Sequence, residues 1–559
     1  MNKIFNVIEN INESEDSDLN VDTAICRILK AEGIDWIAAF PHQSIIDVAA
    51  KEGIKPVIVR QERAGVNMAD ALSRVTNGKT IGVFTMQYGP GAENAFSGVA
   101  QAYADSVPIL LLPGGNPQDR VGVHPNFDSL DHYKGITKWA SYIMSADRTV
   151  DVMRSAFSNL RNGRPGPVLV EIPVDVAAHE VKNFNYTPVK QIRSEADPQD
   201  VSDIVGAIEA STNPVITAGQ GIMYSDASSE LIELAELTGI PVVTTLAGKS
   251  GFPENHSLSL GCAARTATGM AAHFLNETDM MIGIGTSFTK SIFGSPVPDQ
   301  AGIIQITNHS EDLHKDYSIN YGAVGDAKLV IKQIIHELKN RNIKPRQGTA
   351  EQIEEQRKQW MKQWEPRLSS NEIPISPYRV FREIEKTVDV SNTIVTHDSG
   401  YPRDQLVPFW KPVEQHGYIG WGKSTQLGYG LGLAIGAKLA KPEKTVINFM
   451  GDAAFGMAGL DIETATRNKI GITTIVLHNG VMTGYAANYM PVAADTYGSN
   501  QLEGDYATVA KGLGAHGERI EKIEDISAGM ERALAANKNG QPALLEIMTK
   551  EEPEVSKYW

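Results

Sequence analysis

Short runs of β-branched and other apolar residues alternate with amphipathic helical stretches along almost the whole chain, and this alternation leaves little choice of architecture. Runs such as TIGVFTM, PILLL and PVLVEI carry no polar face, as strands covered on both sides of a parallel sheet do. Parallel neighbours can be joined only through a long crossover, which the helical stretches supply. The sequence therefore predicts an α/β protein of doubly wound parallel sheets. At 559 residues the chain is too long for one core, and polar stretches divide it into three blocks. After a tail over 1–21, the first block runs over 22–182 with strands IAAF, VIVR, TIGVFTM, PILLL and PVLVEI. The second, over 200–342, has strands PVITAG, PVVTTL, MMIGIG and IIQIT and closes with the helix AKLVIKQIIHELKN. A charged helical linker over 343–375 leads to the third, over 376–550, with strands NTIVTHD, TVINFMGD, ITTIVLHN and ALLEIM. Blocks one and three share their order of elements, as a duplicated unit would.

Charge and cysteine usage narrow the function classes. A net charge of −16 opposes nucleic-acid binding, which needs a cationic footprint. A local field inside a cleft can still favour an anionic substrate. With only Cys26 and Cys262 there is no disulfide framework and no CxxC metal site. No segment approaches the ~20 apolar residues of a membrane span, and the first twenty residues lack the apolar core of a secretory signal, so a cytoplasmic address is expected.

The densest chemistry lies in residues 445–485. A strand run ends at Gly451-Asp452-Ala453-Ala454, and after a helical stretch a second run ends at Asn479. Both polar residues fall at the carboxyl ends of parallel strands, where open α/β sheets bind ligands. A carboxylate and an amide oxygen are hard donors suited to Mg²⁺. Small residues at 451, 453 and 454 let backbone N–H groups approach phosphate oxygens. A lone Gly-Asp after a strand is usually a turn; the paired strand-end Asn is what raises this one above that reading.

This segment resembles that of the thiamine-diphosphate enzymes, whose motif is Gly-Asp-Gly followed by a strand-end Asn. The chain departs from it in Ala453 for the third Gly and in His478 where a first Asn often stands. The resemblance implies Asp452, Asn479 and the carbonyl of Val481 as metal ligands, with Gly451, Ala453 and Ala454 against the diphosphate. In the first block it implies Glu62, opening a helix after VIVR, as the carboxyl group that shares a proton with N1′ of the aminopyrimidine. Gly89, Pro90, Gly91 and Asn94 match the family's pyrimidine-side Gly-Pro-Gly…Asn pattern. In WGKSTQLGYG, Leu427 takes the place of the apolar wedge that bends the cofactor, and the carbonyl of Thr425 would accept from its 4′-amine. THDSGYPRDQ resembles the loop over the diphosphate, which points to His397, Ser399 and Gly400. The likeness spans roughly 22–548 and follows the order pyrimidine, central, diphosphate domain of the acetolactate synthase, pyruvate oxidase and decarboxylase superfamily. In that family the glutamate and the metal site come from different subunits, which implies a homodimer or homotetramer with active sites at the subunit interface.

The substrate side departs most from acetolactate synthases. Their Pro-Gly-Gly is here Phe40-Pro41-His42-Gln43, which makes His42 and Gln43 candidates for donating a proton or orienting an acceptor. Phe127 keeps the Phe of their Phe-Gln-Glu segment, Lys138 matches a lysine on their active-site side, and Gln87 precedes Gly-Pro-Gly. FAD in the central domain stays open, because the expected Gly-x-Arg-Phe reads Gly285-Thr286-Ser287-Phe288 and lacks the Arg. The acidic tail EEPEVSKYW makes a poor lid for a CoA thioester. The leading expectation is a carboligase or lyase acting on a pyruvate-like 2-oxo acid and a carbonyl acceptor. A simple 2-oxo acid decarboxylase, a diketone C–C hydrolase, a catalytically silent thiamine-fold protein and, on the weak Gly219-Gln220-Gly221, a nicotinamide dehydrogenase are the alternatives.

Overall fold

The structure, a computed structural model, describes residues 19–41, 44–294 and 297–557. They form two compact units: one comprises the described residues up to 192 together with 435–441, the other 193–434 with the described residues from 442 onward.

The first unit is built on β1 (Trp36–Ala39), β2 (Lys55–Ile58), β3 (Gly82–Met86), β4 (Ile109–Gly115), β5 (Trp139–Tyr142) and β6 (Val168–Pro173), in the order β2-β1-β3-β4-β6-β5. All its pairings are parallel. Ile37, Leu110 and Val170 from the strands and Ile28 and Phe157 from the helices share one buried core. The strand expected as VIVR stops at Ile58, because its only neighbour, β1, runs out at Ala39 opposite it. Val59 still donates to the Ala39 carbonyl, and the chain then turns into the helix Glu62–Val75.

The second unit holds two sheets. One contains β7 (Pro214–Ala218), β8 (Val242–Thr244), β9 (Ser259–Cys262), β10 (Met280–Ile284), β11 (Gly302–Thr307) and β12 (Tyr321–Val324), ordered β12-β11-β10-β7-β8-β9. Read backwards from β9, this is the 3-2-1-4-5-6 order of dinucleotide-binding folds. The expected closing helix is Ala327–Asn340, started by Asp326, whose carboxylate accepts the Lys328 and Leu329 N–H groups. The linker forms the helix Thr349–Leu368, which buries Trp360 and Trp364. The other sheet contains β13 (Thr393–His397), β14 (Tyr418–Ile419), β15 (Thr445–Gly451), β16 (Thr473–His478), β17 (His516–Ile520) and β18 (Ala543–Met548), ordered β14-β13-β15-β16-β18-β17. Strand for strand this repeats the order of the first sheet. In both, the chain reverses its direction of winding between the first and third strands, which opens a crevice at their carboxyl ends. Among the described residues no helix is long and apolar enough to cross a membrane.

Candidate active site

At the winding reversal of the third sheet, β13 delivers residues 398–400, β15 delivers Gly451 and Asp452, and the neighbouring β16 delivers Asn479. Asp452 is the first residue of the helix Asp452–Ala458, whose N-terminus has no side-chain cap, so its first-turn N–H groups, including those of Ala453 and Ala454, stay open to an anion. The Asp452 carboxylate is buried, and burial raises its pKa while the nearby His478 opposes that shift. Its Oδ2 accepts the Asn479 N–H at 3.3 Å, 27 positions along the chain. Its Oδ1 has no hydrogen-bond partner among the described residues, with His478 Nε2 3.4 Å away. Asn479 fixes its own loop: Nδ2 donates to Thr483 Oγ1 at 2.7 Å, and Oδ1 accepts the Val481 N–H at 3.1 Å. Bonds from Leu502 to the Gly480 carbonyl and from Met482 to that of Asn500 hold the loop on either side of Val481. An orphaned carboxylate oxygen beside an amide oxygen with a second lone pair fits a hard divalent cation. Among the described residues no group of three or more His, Cys, Asp or Glu side chains is placed to bind a metal; the donors available to a cation here are a carboxylate, an amide oxygen and backbone carbonyls.

His478, which replaces an Asn of the motif, donates from Nδ1 to Glu546 Oε1 at 2.6 Å, and that contact raises its pKa first of all. Glu546, on β18, also accepts the Ala507 N–H through Oε2. The ring of Tyr506 packs between those of His478 and Phe455, each at 5.0 Å. Sequence reasoning did not single out this Glu546–His478–Asp452 chain, although the Glu in the apolar strand ALLEIM was its visible signal.

Asp398 was missed as well. Its buried carboxylate accepts the backbone N–H groups of Ser399 (2.7 Å), Gly428 (2.9 Å) and Gly430 (2.9 Å). It thereby ties the end of β13 to the segment that presents Thr425, exposed, and Leu427, half-buried. Gly430 is required there, since a Cβ would stand 2.3 Å from Asn448 Oδ1 and 2.7 Å from the His397 carbonyl. Of the three residues expected over the diphosphate, Ser399 and Gly400 are at the surface. Gly400 (φ +91°) starts the helix Tyr401–Leu406. His397 is turned into the core instead, fully buried and stacked on Tyr418, which separates it from the other two.

In the first unit, Glu62 opens the helix Glu62–Val75 and is 5% exposed. Its charge is felt by Tyr133, whose phenol is pushed up first by burial and then by Glu62, and whose hydroxyl donates to the Ala92 carbonyl. Gln87 follows β3, and Gly89 (φ +63°) caps the helix Pro90–Ala104 with Pro90 in its first turn. Gly91 is buried against Gln87 and Asn94 is exposed on the first turns of that helix. Phe127 sits on the loop after β4, stacked on His132 at 4.4 Å, so it shares the carboxyl edge of the sheet with Gln87. Lys138 does not. It precedes β5 at the opposite, amino edge, where its Nζ donates to the carbonyls of Asn159 and Asn162 and burial lowers its pKa to about 8. His42 and Gln43 lie outside the described residues.

In the central sheet the Gly219-Gln220-Gly221 glycines answer to packing. A Cβ at 219 would stand 2.2 Å from the Gly285 carbonyl oxygen, and one at 221 would stand 2.7 Å from the Gly285 Cα. Ser287 and Thr289 accept from Lys423 Nζ at 2.7 and 3.3 Å, which commits this stretch to the segment before Leu427.

Comparison with known proteins agrees along the chain. Residues 19–134 match the N-terminal TPP binding domain of thiamine pyrophosphate enzymes, 201–334 their central domain and 398–547 their C-terminal TPP binding domain. A probable acetolactate synthase large subunit of Methanocaldococcus jannaschii is 30% identical over 94% of this chain and 91% of its own length. An acetolactate synthase of Mycobacterium bovis is 27% identical over 92% and 86%, and an acetolactate synthase large subunit of Porphyra purpurea 31% over 76% and 73%.

Proposed function

The chain belongs to the thiamine pyrophosphate enzymes, in the superfamily of acetolactate synthases and pyruvate oxidases, and from that premise we propose that it decarboxylates a pyruvate-like 2-oxo acid and transfers the acyl unit to a carbonyl acceptor. What carries the reading is the pairing of Asp452, with its unfilled Oδ1, and Asn479 at adjacent strand ends, in a chain that resembles proteins named acetolactate synthase over most of its length.

When bound, thiamine diphosphate would supply a carbon nucleophile and, in its thiazolium ring, a sink for the electrons released as CO₂ leaves. Asp452, Asn479 and the Val481 carbonyl would hold the Mg²⁺ that anchors its diphosphate, with the N–H groups at 453 and 454 and the surface residues Ser399 and Gly400 on the phosphate oxygens. Glu62 would hold the proton on N1′, a role that a carboxyl group shielded from water can fill without competition from solvent. Leu427 would support the bend of the cofactor, the Thr425 carbonyl would accept from its 4′-amine, and Gly89, Pro90, Gly91 and Asn94 would lie along the pyrimidine. Gln87, Phe127, His42 and Gln43 would face the substrate. Decarboxylation followed by ligation is redox-neutral, so no step of this reading draws on a flavin.

The test is a product assay with pyruvate, thiamine diphosphate and Mg²⁺, with and without a second 2-oxo acid or aldehyde. Release of CO₂ with a new hydroxyketone or hydroxy-oxo acid is expected. Aldehyde as the only product, whatever acceptor is added, would replace carboligation by simple decarboxylation.

A further inference from the structure

Within the second unit a cavity of about 420 Å³ opens beside the helix that follows Gly400, and Arg265, Tyr401, Asp404, Asn488, Tyr489 and Lys557 stand on its wall. Its position is set by the candidate site. Tyr401 is the next residue after Gly400, and its hydroxyl packs against Gly484, where a Cβ would meet it at 2.6 Å. Gly484 closes the loop that starts at Asn479, and its N–H is held by Glu551 Oε1 at 2.9 Å.

The two cations arrive by different routes and are held side by side. The carboxyl-terminal strand of residues lies antiparallel to the turn after β9: Thr266 pairs with Lys557, and Ala267 donates to the Ser556 carbonyl at 3.0 Å. The Ser556 hydroxyl donates to the Ala267 carbonyl at 2.6 Å and accepts from Trp360 Nε1 at 3.0 Å. Lys557 is thereby fixed beside Arg265 and makes no ion pair among the described residues. Arg265, nearly half exposed, stands 3.7 Å from Asp404 and is the leading charge on the Tyr401 hydroxyl after burial. Among the described residues Asp404 is the only carboxylate on the wall, and the buried Arg403 already pairs with it. Glu551 and Glu554 also act on Tyr401 but are off the wall, and Glu551 is engaged by Gly484.

Two cations, two phenols and an amide against one neutralised carboxylate make a donor-rich hollow, and its volume suits a compact molecule more than a large nucleotide. We propose that this cavity is an oxyanion subsite in which Arg265 and Lys557 hold a carboxylate or phosphate carried by the substrate away from its reacting carbonyl. The assignment rests on the function proposed above and sharpens it to substrates with a second anionic end. An Arg fork reads such a group in two directions, and the flanking Lys adds charge without fixing geometry.

The experiment is calorimetric titration of the full chain, loaded with thiamine diphosphate and Mg²⁺, with glutarate and separately with inorganic phosphate. Saturable binding is expected, at least tenfold weaker in Arg265→Gln and in Lys557→Gln and restored in Lys557→Arg, with thiamine diphosphate affinity unchanged in all three. Tighter binding of glutarate assigns a dicarboxylic substrate, tighter binding of phosphate a phosphorylated one. Binding that is equal in wild type and in the Arg265→Gln/Lys557→Gln double variant, or absent for both anions, overturns the subsite. Loss of the proposed function would show separately, as failure to bind thiamine diphosphate while the variant-sensitive anion binding persists.

Discussion

Glu62 and Asp452 are both buried carboxylates at helix starts, yet their roles imply different failures. Glu62→Gln keeps the shape and loses the shared proton, so thiamine diphosphate should still bind while turnover falls by about 10²–10⁴-fold. Near-wild-type turnover would remove Glu62 from the mechanism. Asp452→Ala deletes a charged ligand, and metal-dependent cofactor retention should weaken by about 2–5 kcal/mol; an unchanged titration midpoint would contradict that. Glu171, in the middle of β6, gives a pH signature instead. Burial pushes its carboxyl up to about 7, with hydrogen bonds from Ser129 opposing. The folded protein therefore binds a proton more tightly than the unfolded chain, and this stabilisation is full below the ordinary carboxylate range and lost as pH rises through about 7. Glu171→Gln should match wild type in Tm at pH 5 and exceed it at pH 8; equal differences at both pH values would refute the sign. Residues on strand ends, Asp452 and Asn479 above all, were legible because position along a strand is visible in sequence. Asp398 was not, since two of its three bonds go to backbone N–H groups some thirty residues away, a pairing that spacing along the chain does not show.

The strands divide in the same way. β3, β4, β6, β15 and β16 are predominantly apolar and buried along their length, and they are readable at sight. The five that hydropathy does not reveal, β5 (WASY), β9 (SLGC), β12 (YGAV), β14 (YI) and β17 (HGERI), all lie at an edge of their sheet. An edge strand has one neighbour, and β5, β12 and β17 are also only partly covered, so their sequences answer chiefly to backbone pairing. Tight approach between elements is equally hidden. Gly430 looks like one more glycine in GYGLG, yet its hydrogen faces Asn448 and the β13 backbone. Gly430→Ala should cost about 1–3 kcal/mol by overpacking, seen as a lower Tm, and should also disturb the Leu427 segment that Asp398 holds. A variant as stable as wild type would mean that this contact yields without strain.

At the scale of the whole chain, three six-stranded sheets come from one chemical pattern, and the first and last along the sequence share one strand order while the middle one differs. The order of blocks was legible from the duplicated succession of elements, whereas the grouping of two sheets into one unit was not, because it depends on contacts such as Ser250 to the Tyr418 carbonyl across 168 residues. The repetition also sets a problem in time. A chain released all at once from denaturant holds two sets of strands that suit the same places, and each β1-like strand can find the wrong β3-like neighbour. A chain made from its amino end meets no such choice, because the first sheet closes before its counterpart exists. Recovery of active protein should accordingly be poorer on refolding from denaturant than in coupled synthesis at equal concentration, and equal recoveries would show that the two sheets never compete.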